Sequence, residues 1–180
     1  RLSKMTIHNA DSTLREQYLE YGFLDVVCRE MWKRGIPVDV LHTRTDRNGY
    51  DLFLEANGVL RHIQLKSSFA GAKTARQTIN MRLAEKPGGC VVWIRFDPAT
   101  LDPVEYLWFG GAPGEPMPPL GDRVARHSKG NAEGVKAERA GLRVVSRPAF
   151  VPVGRASDLA ARLFGAAELP QIYKSKESGT

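Results

Sequence analysis

The stretch Gly49–Ser68, GYDLFLEANGVLRHIQLKSS, decides how this 180-residue chain folds. At its centre, Asn57-Gly58 is the strongest short signal for a two-residue hairpin turn, because both residues tolerate positive φ. The flanking strands are Tyr50 to Ala56 and Val59 to Ser67. Such a turn sets the register: the numbers of directly opposed residues sum to 115, so Asp51 lies opposite Gln64 and Glu55 opposite Leu60. Side chains alternate along a strand. Asp51, Phe53, Glu55, His62, Gln64 and Lys66 therefore share one face. Leu52, Leu54, Ile63 and Leu65 share the other, which must be the core side. Lys66 is a diagonal neighbour of Asp51. A carboxylate, an amide and an ammonium thus converge at one end of the hairpin, within about 8 Å of each other.

Upstream, Thr13 to Arg34 reads as a long helix. Thr13 followed by Glu16 matches a capping box, and Leu24, Val27 and Met31 follow helical spacing with Glu20 on the same side. Gly35 stops this helix, and Pro37 to Leu41 is a short strand. Downstream, Ala72 to Glu85 reads as an amphipathic helix with Ala72, Ala75, Ile79 and Leu83 on its apolar side. Then GGCVVWIRF is a nearly continuous apolar run, typical of a strand buried on both faces. VEYLWFGG is a further strand, and APGEPMPPL is a Pro-rich loop. LRVVSRPAFVPV is a late strand in which Pro148 and Pro152 argue for an edge or a break. Ser157 caps a last helix, Asp158 to Phe164, ended by Gly165.

The fold class expected is α/β, a mixed central sheet flanked by helices. Residues 12–111 form the core, and residues 119–166 form a small α+β extension packed on it as part of one compact domain.

Lys and Arg number 26 against 20 Asp and Glu, a net charge of +6. That surplus makes nucleic acid a natural partner without requiring one. Cys28 and Cys90 lie 62 positions apart in apolar surroundings. They suit neither a zinc site nor a disulfide framework, and read as reduced thiols of a cytoplasmic protein. No apolar run approaches the roughly 20 residues of a membrane span. The first dozen residues lack the apolar core of a signal peptide. There is no zinc-finger spacing, no helix-turn-helix signature and no Gly-rich phosphate loop.

A Glu-bearing helix followed by GYDL and IQLKSS resembles the PD-(D/E)XK nuclease superfamily. The similarity is to its Gln-x-Lys branch, the Mrr-like and Holliday junction resolvase-like enzymes, and covers about residues 13–96. It implies a restriction-endonuclease-like core that hydrolyses DNA phosphodiesters with Mg²⁺ or Mn²⁺. By that resemblance Asp51 is the principal metal ligand. Gln64 supplies a side-chain oxygen, Leu65 its backbone carbonyl, and Glu20 a helix carboxylate. Lys66 orients the attacking water or stabilises charge on the phosphate. Glu16, one turn before Glu20, and His62, on the face of Gln64, are secondary candidates. Lys73, Arg76, Gln77 and Asn80 on the following helix would contact the sugar-phosphate backbone, with Arg123, Arg126 and Lys129 as a second basic group. A homodimer is the assembly the resemblance suggests.

Two departures stand out. Tyr50, not proline, precedes Asp51. The second acidic position is Gln64, which removes a negative charge from a site for a hard cation that prefers carboxylates. Two other functions follow from the same residues: a nucleic-acid-binding module (DNA or RNA) that does not cleave, and a basic module that binds an acidic protein.

Overall fold

The computed structural model describes residues 12–43, 49–127 and 137–166. Helix α1 spans Ser12–Lys33. Strands β1 (Asp39–His42), β2 (Leu52–Ala56) and β3 (Val59–Phe69) follow. After them come β4 (Arg76–Asn80), a 3-10 turn at Met81–Leu83, β5 (Gly89–Phe96) and β6 (Pro103–Gly110). The chain continues through β7 (Val124–Arg126), β8 (Glu138–Ser146), β9 (Val151–Val153) and helix α2 (Ala156–Phe164).

The architecture is mixed α/β. A six-stranded mixed sheet has the order β1-β2-β3-β5-β6-β9, and a three-stranded antiparallel sheet has the order β4-β8-β7. Alternation along the central strands decides what covers each face. Leu52, Leu54, Ile63, Cys90, Val92 and Ile94 point to one side. There they pack with Leu19, Phe23, Val27 and Met31 of α1 and with Leu159, Leu163 and Phe164 of α2. Val91, Trp93, Leu107 and Phe109 point to the other side, against Ile79 of β4, Leu83 and Val145 of β8. Both helices thus share one face, and a second sheet covers the other. The expected mixed α/β sheet with helices beside it is present, with the helices on one face. β5 is buried along its whole length, as its apolar run required.

The hairpin has the register read from Asn57-Gly58: Leu52 pairs with Ile63 and Ala56 with Val59. Asn57 at φ 53° and Gly58 at φ 75° make the turn, the pair of positive values a type I′ connection needs.

Three local expectations are corrected. The helix over 72–85 is absent: Arg76–Asn80 is a strand, paired from Arg76↔Ser146 to Asn80↔Leu142. β3 and β5 are parallel, so a crossover must join them. This crossover runs through the second sheet instead of through a helix. Thr78 and Ile79 are β-branched and suit that pairing. The Thr13 capping box does not form, because Thr13 already lies inside α1. Ser157 likewise lies inside α2, which begins at Ala156 after Arg155.

Residues 119–166 contribute to every layer. β8 and β7 complete the second sheet, β9 adds to β6 at the edge of the central sheet, and α2 packs on α1. Pro148 falls in the 3-10 turn after β8, and Pro152 on edge strand β9, where a missing N–H is tolerated.

Buried arginines tie these layers together. Arg61, with no exposed surface, donates to the carbonyls of Leu163 (2.6 Å), Arg162 (2.9 Å) and Gly111 (3.2 Å). It thereby neutralises the carbonyl-rich end of α2. Arg95 donates to the Ala70 carbonyl and to Ser68 Oγ, pinning the segment that leads into β4.

Candidate functional site

β3 outruns its partner. Its pairing with β2 begins at Val59 and stops at Ile63, while β3 continues to Phe69. Along that overhang an open cavity of about 650 Å³ is lined by Glu16, Gln17 and Glu20 of α1, and by His42 and Thr43. Asp51, Gln64, Leu65, Lys66 and Gln77 line it as well, together with Thr13 and Ser67. The lack of a β2 partner opens this edge, and side chains from both faces of the sheet reach it. Gln64 and Lys66 lie on the second-sheet side, opposite Val91 and Trp93. The two glutamates come from the helix side.

Asp51 sits at the hinge of the opening. Its N–H donates to the Ile63 carbonyl at 2.8 Å, the last rung of the hairpin. Its Oδ2 then accepts the Leu65 N–H at 2.7 Å, taking the place of the ladder bond that β2 no longer supplies. In a strand, the carbonyl of a residue lies on the same edge as its N–H. The Leu65 carbonyl therefore faces this opening too. Thr43 supports Asp51 from behind: its N–H donates to the Asp51 carbonyl at 3.1 Å, and its hydroxyl donates to the Tyr50 carbonyl at 3.0 Å. Gly49 (φ 78°) fits the same wall only because it lacks a side chain, since a Cβ there would come within 2.9 Å of Asn80.

Gln64 is 6% exposed, and its Oε1 is buried without a hydrogen-bond partner. Buried polar atoms are seldom left so, because the loss costs about 1–3 kcal/mol. Glu20 contacts His42 Nδ1 at 2.9 Å.

Of the candidates read from the sequence, Glu16, Glu20, Asp51, Gln64, Leu65, Lys66 and Gln77 line this one cavity. Gln77 arrives there on a strand, not on the expected helix. His62 is elsewhere: its Nδ1 lies 2.6 Å from the Pro87 carbonyl, and its ring packs edge-on against Tyr50 and Phe53. Lys73 borders a different cleft, with Arg147 and Phe150. Arg76 is exposed on β4. Asn80 caps the following 3-10 turn by accepting the Arg82 N–H. Arg123 and Arg126 are exposed at β7, Arg126 paired with Glu138 at 3.4 Å. Lys129 lies outside the described residues. His42, Thr43 and Gln17 are additional cavity residues with no sequence motif. The only available signal was the alternation of β1, which puts Val40 and His42 on the side of α1.

Among the described residues no group of three or more His, Cys, Asp and Glu side chains is close enough to hold a metal ion. A divalent cation here would depend on a mixed oxygen set: the Asp51 carboxylate, Gln64 Oε1 and the Leu65 carbonyl. The unpartnered, buried amide oxygen fits that need. So does the hard, all-oxygen character of the set.

Comparison of the chain with protein-family models, with curated proteins and with solved structures gives no match. No helix among the described residues is long and apolar enough to cross a membrane.

Proposed function

We propose that this protein is a Mg²⁺- or Mn²⁺-dependent DNA endonuclease of the PD-(D/E)XK type with a restriction-endonuclease-like core. The observation that carries this reading is the shared cavity of Asp51, Gln64, Lys66 and Glu20 at the overhang of β3, with the Gln64 oxygen buried and unpartnered. Asp51, Gln64 and the Leu65 carbonyl would hold the cation, with Glu20 joining directly or through water. A bound cation would neutralise phosphoryl charge and lower the pKa of a water molecule. Lys66 would orient that water and stabilise the developing charge on the phosphate. The second sheet would grip the substrate backbone, with Arg76 at one edge and Arg123 and Arg126 at the other.

One observation favours a second reading, a nucleic-acid-binding module that does not cleave. Gln64 is neutral, and the described residues form no metal cluster of ionisable side chains. The two readings separate in one assay. The purified protein is incubated with supercoiled, linear, single-stranded and branched DNA and with RNA, in Mg²⁺, Mn²⁺ or EDTA. Metal-dependent cleavage supports the nuclease. Salt-sensitive binding without cleavage of any form supports the binding module. Neither binding nor cleavage overturns both.

A further inference from the structure

We propose that the outward face of α1 is a self-association surface, which pairs antiparallel with the same helix of a second copy. The core-facing stripe of α1 is Leu19, Phe23, Val27 and Met31. At 100° per residue, the opposite side of the helix carries Leu14, Tyr18, Tyr21, Asp25, Cys28 and Trp32. A helix lying on a sheet should be polar there. Instead Leu14 is 39% exposed, Tyr18 and Tyr21 are each 51% exposed, and Trp32 is 81% exposed.

The spacing identifies the occupant. Steps of 4, 3, 4, 3 and 4 residues are those of a helix-pairing seam, running most of the length of a 22-residue helix. The stripe is also self-complementary about its midpoint, residue 23. Reversed on itself, it sets Tyr21 against Asp25 of the second copy, Tyr18 against Cys28, and Leu14 against Trp32. A phenol thereby meets a carboxylate it can donate to, and the exposed Leu14 and Trp32 are covered together. A two-fold interface requires this self-complementarity, because the same patch must serve both partners. Asp25, held by Arg29 at 2.7 Å, is the polar centre.

Gly22 is an independent observation. It lies in the helix interior, where glycine is unfavourable. A Cβ there would meet nothing within 4 Å inside the chain, so the fold of a single copy gives no reason for it. It borders the stripe beside the midpoint, where bare backbone lets a second helix come close. Tyr18, Tyr21 and Trp32 of two copies expose on the order of 700 Å² of aromatic surface. With their neighbours this approaches the lower range of specific interfaces, so the association is modest and depends on concentration.

Sedimentation velocity from about 5 μM to 500 μM, compared with Trp32→Ser and Tyr21→Ser, tests the surface. These side chains lie outside the core, so both variants keep the thermal stability of the wild type. The expected result is a reversible wild-type dimer weakened at least tenfold by either change. A wild-type monomer at the highest concentration, or a dimer indifferent to both changes, overturns the proposal. The register has its own readout. Tyr18→Cys should form an intermolecular disulfide with native Cys28 under mild oxidation, and adding Cys28→Ser should abolish it. No cross-link, or one that survives Cys28→Ser, overturns the antiparallel register.

Discussion

The Asp51 carboxylate accepts the Leu65 backbone N–H at 2.7 Å, two residues beyond the last rung between β2 and β3. One carboxylate thus closes the hairpin and opens onto the cavity. Its two roles can be separated. Asp51→Asn keeps an acceptor oxygen for Leu65 and should fold with nearly native stability. Asp51→Ala strands a backbone donor, and should lose about 1–3 kcal/mol, or roughly 2–9 °C in Tm for a chain of this size. Thermal unfolding of the two variants side by side checks this. Equal stability would mean the Leu65 bond carries nothing.

Gln64 should respond oppositely to two substitutions. Gln64→Leu removes the unpartnered buried oxygen, so stability should hold or rise slightly while metal affinity falls. Gln64→Glu buries a carboxylate. Without metal it should destabilise the fold at neutral pH, and Mg²⁺ should restore more stability to it than to the wild type. Thermal melts in EDTA and in Mg²⁺ measure both. A Gln64→Glu variant indifferent to Mg²⁺ would remove this position from any cation site.

Arg61 shows what holds the far end of the molecule. It reaches from β3 to the last carbonyls of α2 and lies over the Trp108 ring at 5.3 Å. Arg61→Met should expose no new surface yet leave three carbonyls without their donor. A loss of about 2–4 kcal/mol is expected from chemical denaturation. Arg61→Lys should recover only part of it, since one ammonium cannot reproduce the planar fork. No loss in either variant would contradict this account of α2.

Burial makes stability depend on pH in the alkaline range. The Tyr106 hydroxyl has no partner, and its pKa is pushed up to about 12 by burial. The Cys90 thiol is also pushed up to about 12, by burial and against the pull of Arg61. Unfolded, these groups lose their protons near 10 and 9. The unfolded state therefore gains from deprotonation first. The contribution of these two groups to stability is fully present below about pH 9 and is lost as pH rises toward 12. Tyr106→Phe should retain more stability than the wild type between pH 10 and 12. Urea midpoints across that range check it, and superimposable pH profiles would contradict it.

The parts legible in the sequence are those set by local chemistry. Asn57-Gly58 dictates the hairpin register, hence the neighbourhood of Asp51, Gln64 and Lys66. The apolar run of β5 dictates burial on both sides. Helical spacing places Glu20 toward the sheet. β4 was illegible for a physical reason. Ala72, Ala75, Ile79 and Leu83 satisfy a helical period, but Arg76–Asn80 pairs with β8, more than sixty residues later in the chain, and Ile79 and Leu83 are buried against the central sheet. That non-local pairing overrides the local pattern. Arg61 was hidden likewise, since two of its partners lie about a hundred residues away. His42 showed no motif because its contact with Glu20 exists only once β1 lies beside α1.

The proposed function requires phosphodiester cleavage in the cavity at the β3 overhang. The decisive measurement is nicking of supercoiled plasmid in Mn²⁺ by wild type, Asp51→Asn and Lys66→Met at equal folded concentration. Metal-dependent nicking by the wild type is expected, reduced at least a hundredfold in each variant while DNA binding persists. Nicking that survives both substitutions, or a wild type that binds DNA and never nicks it, would contradict it.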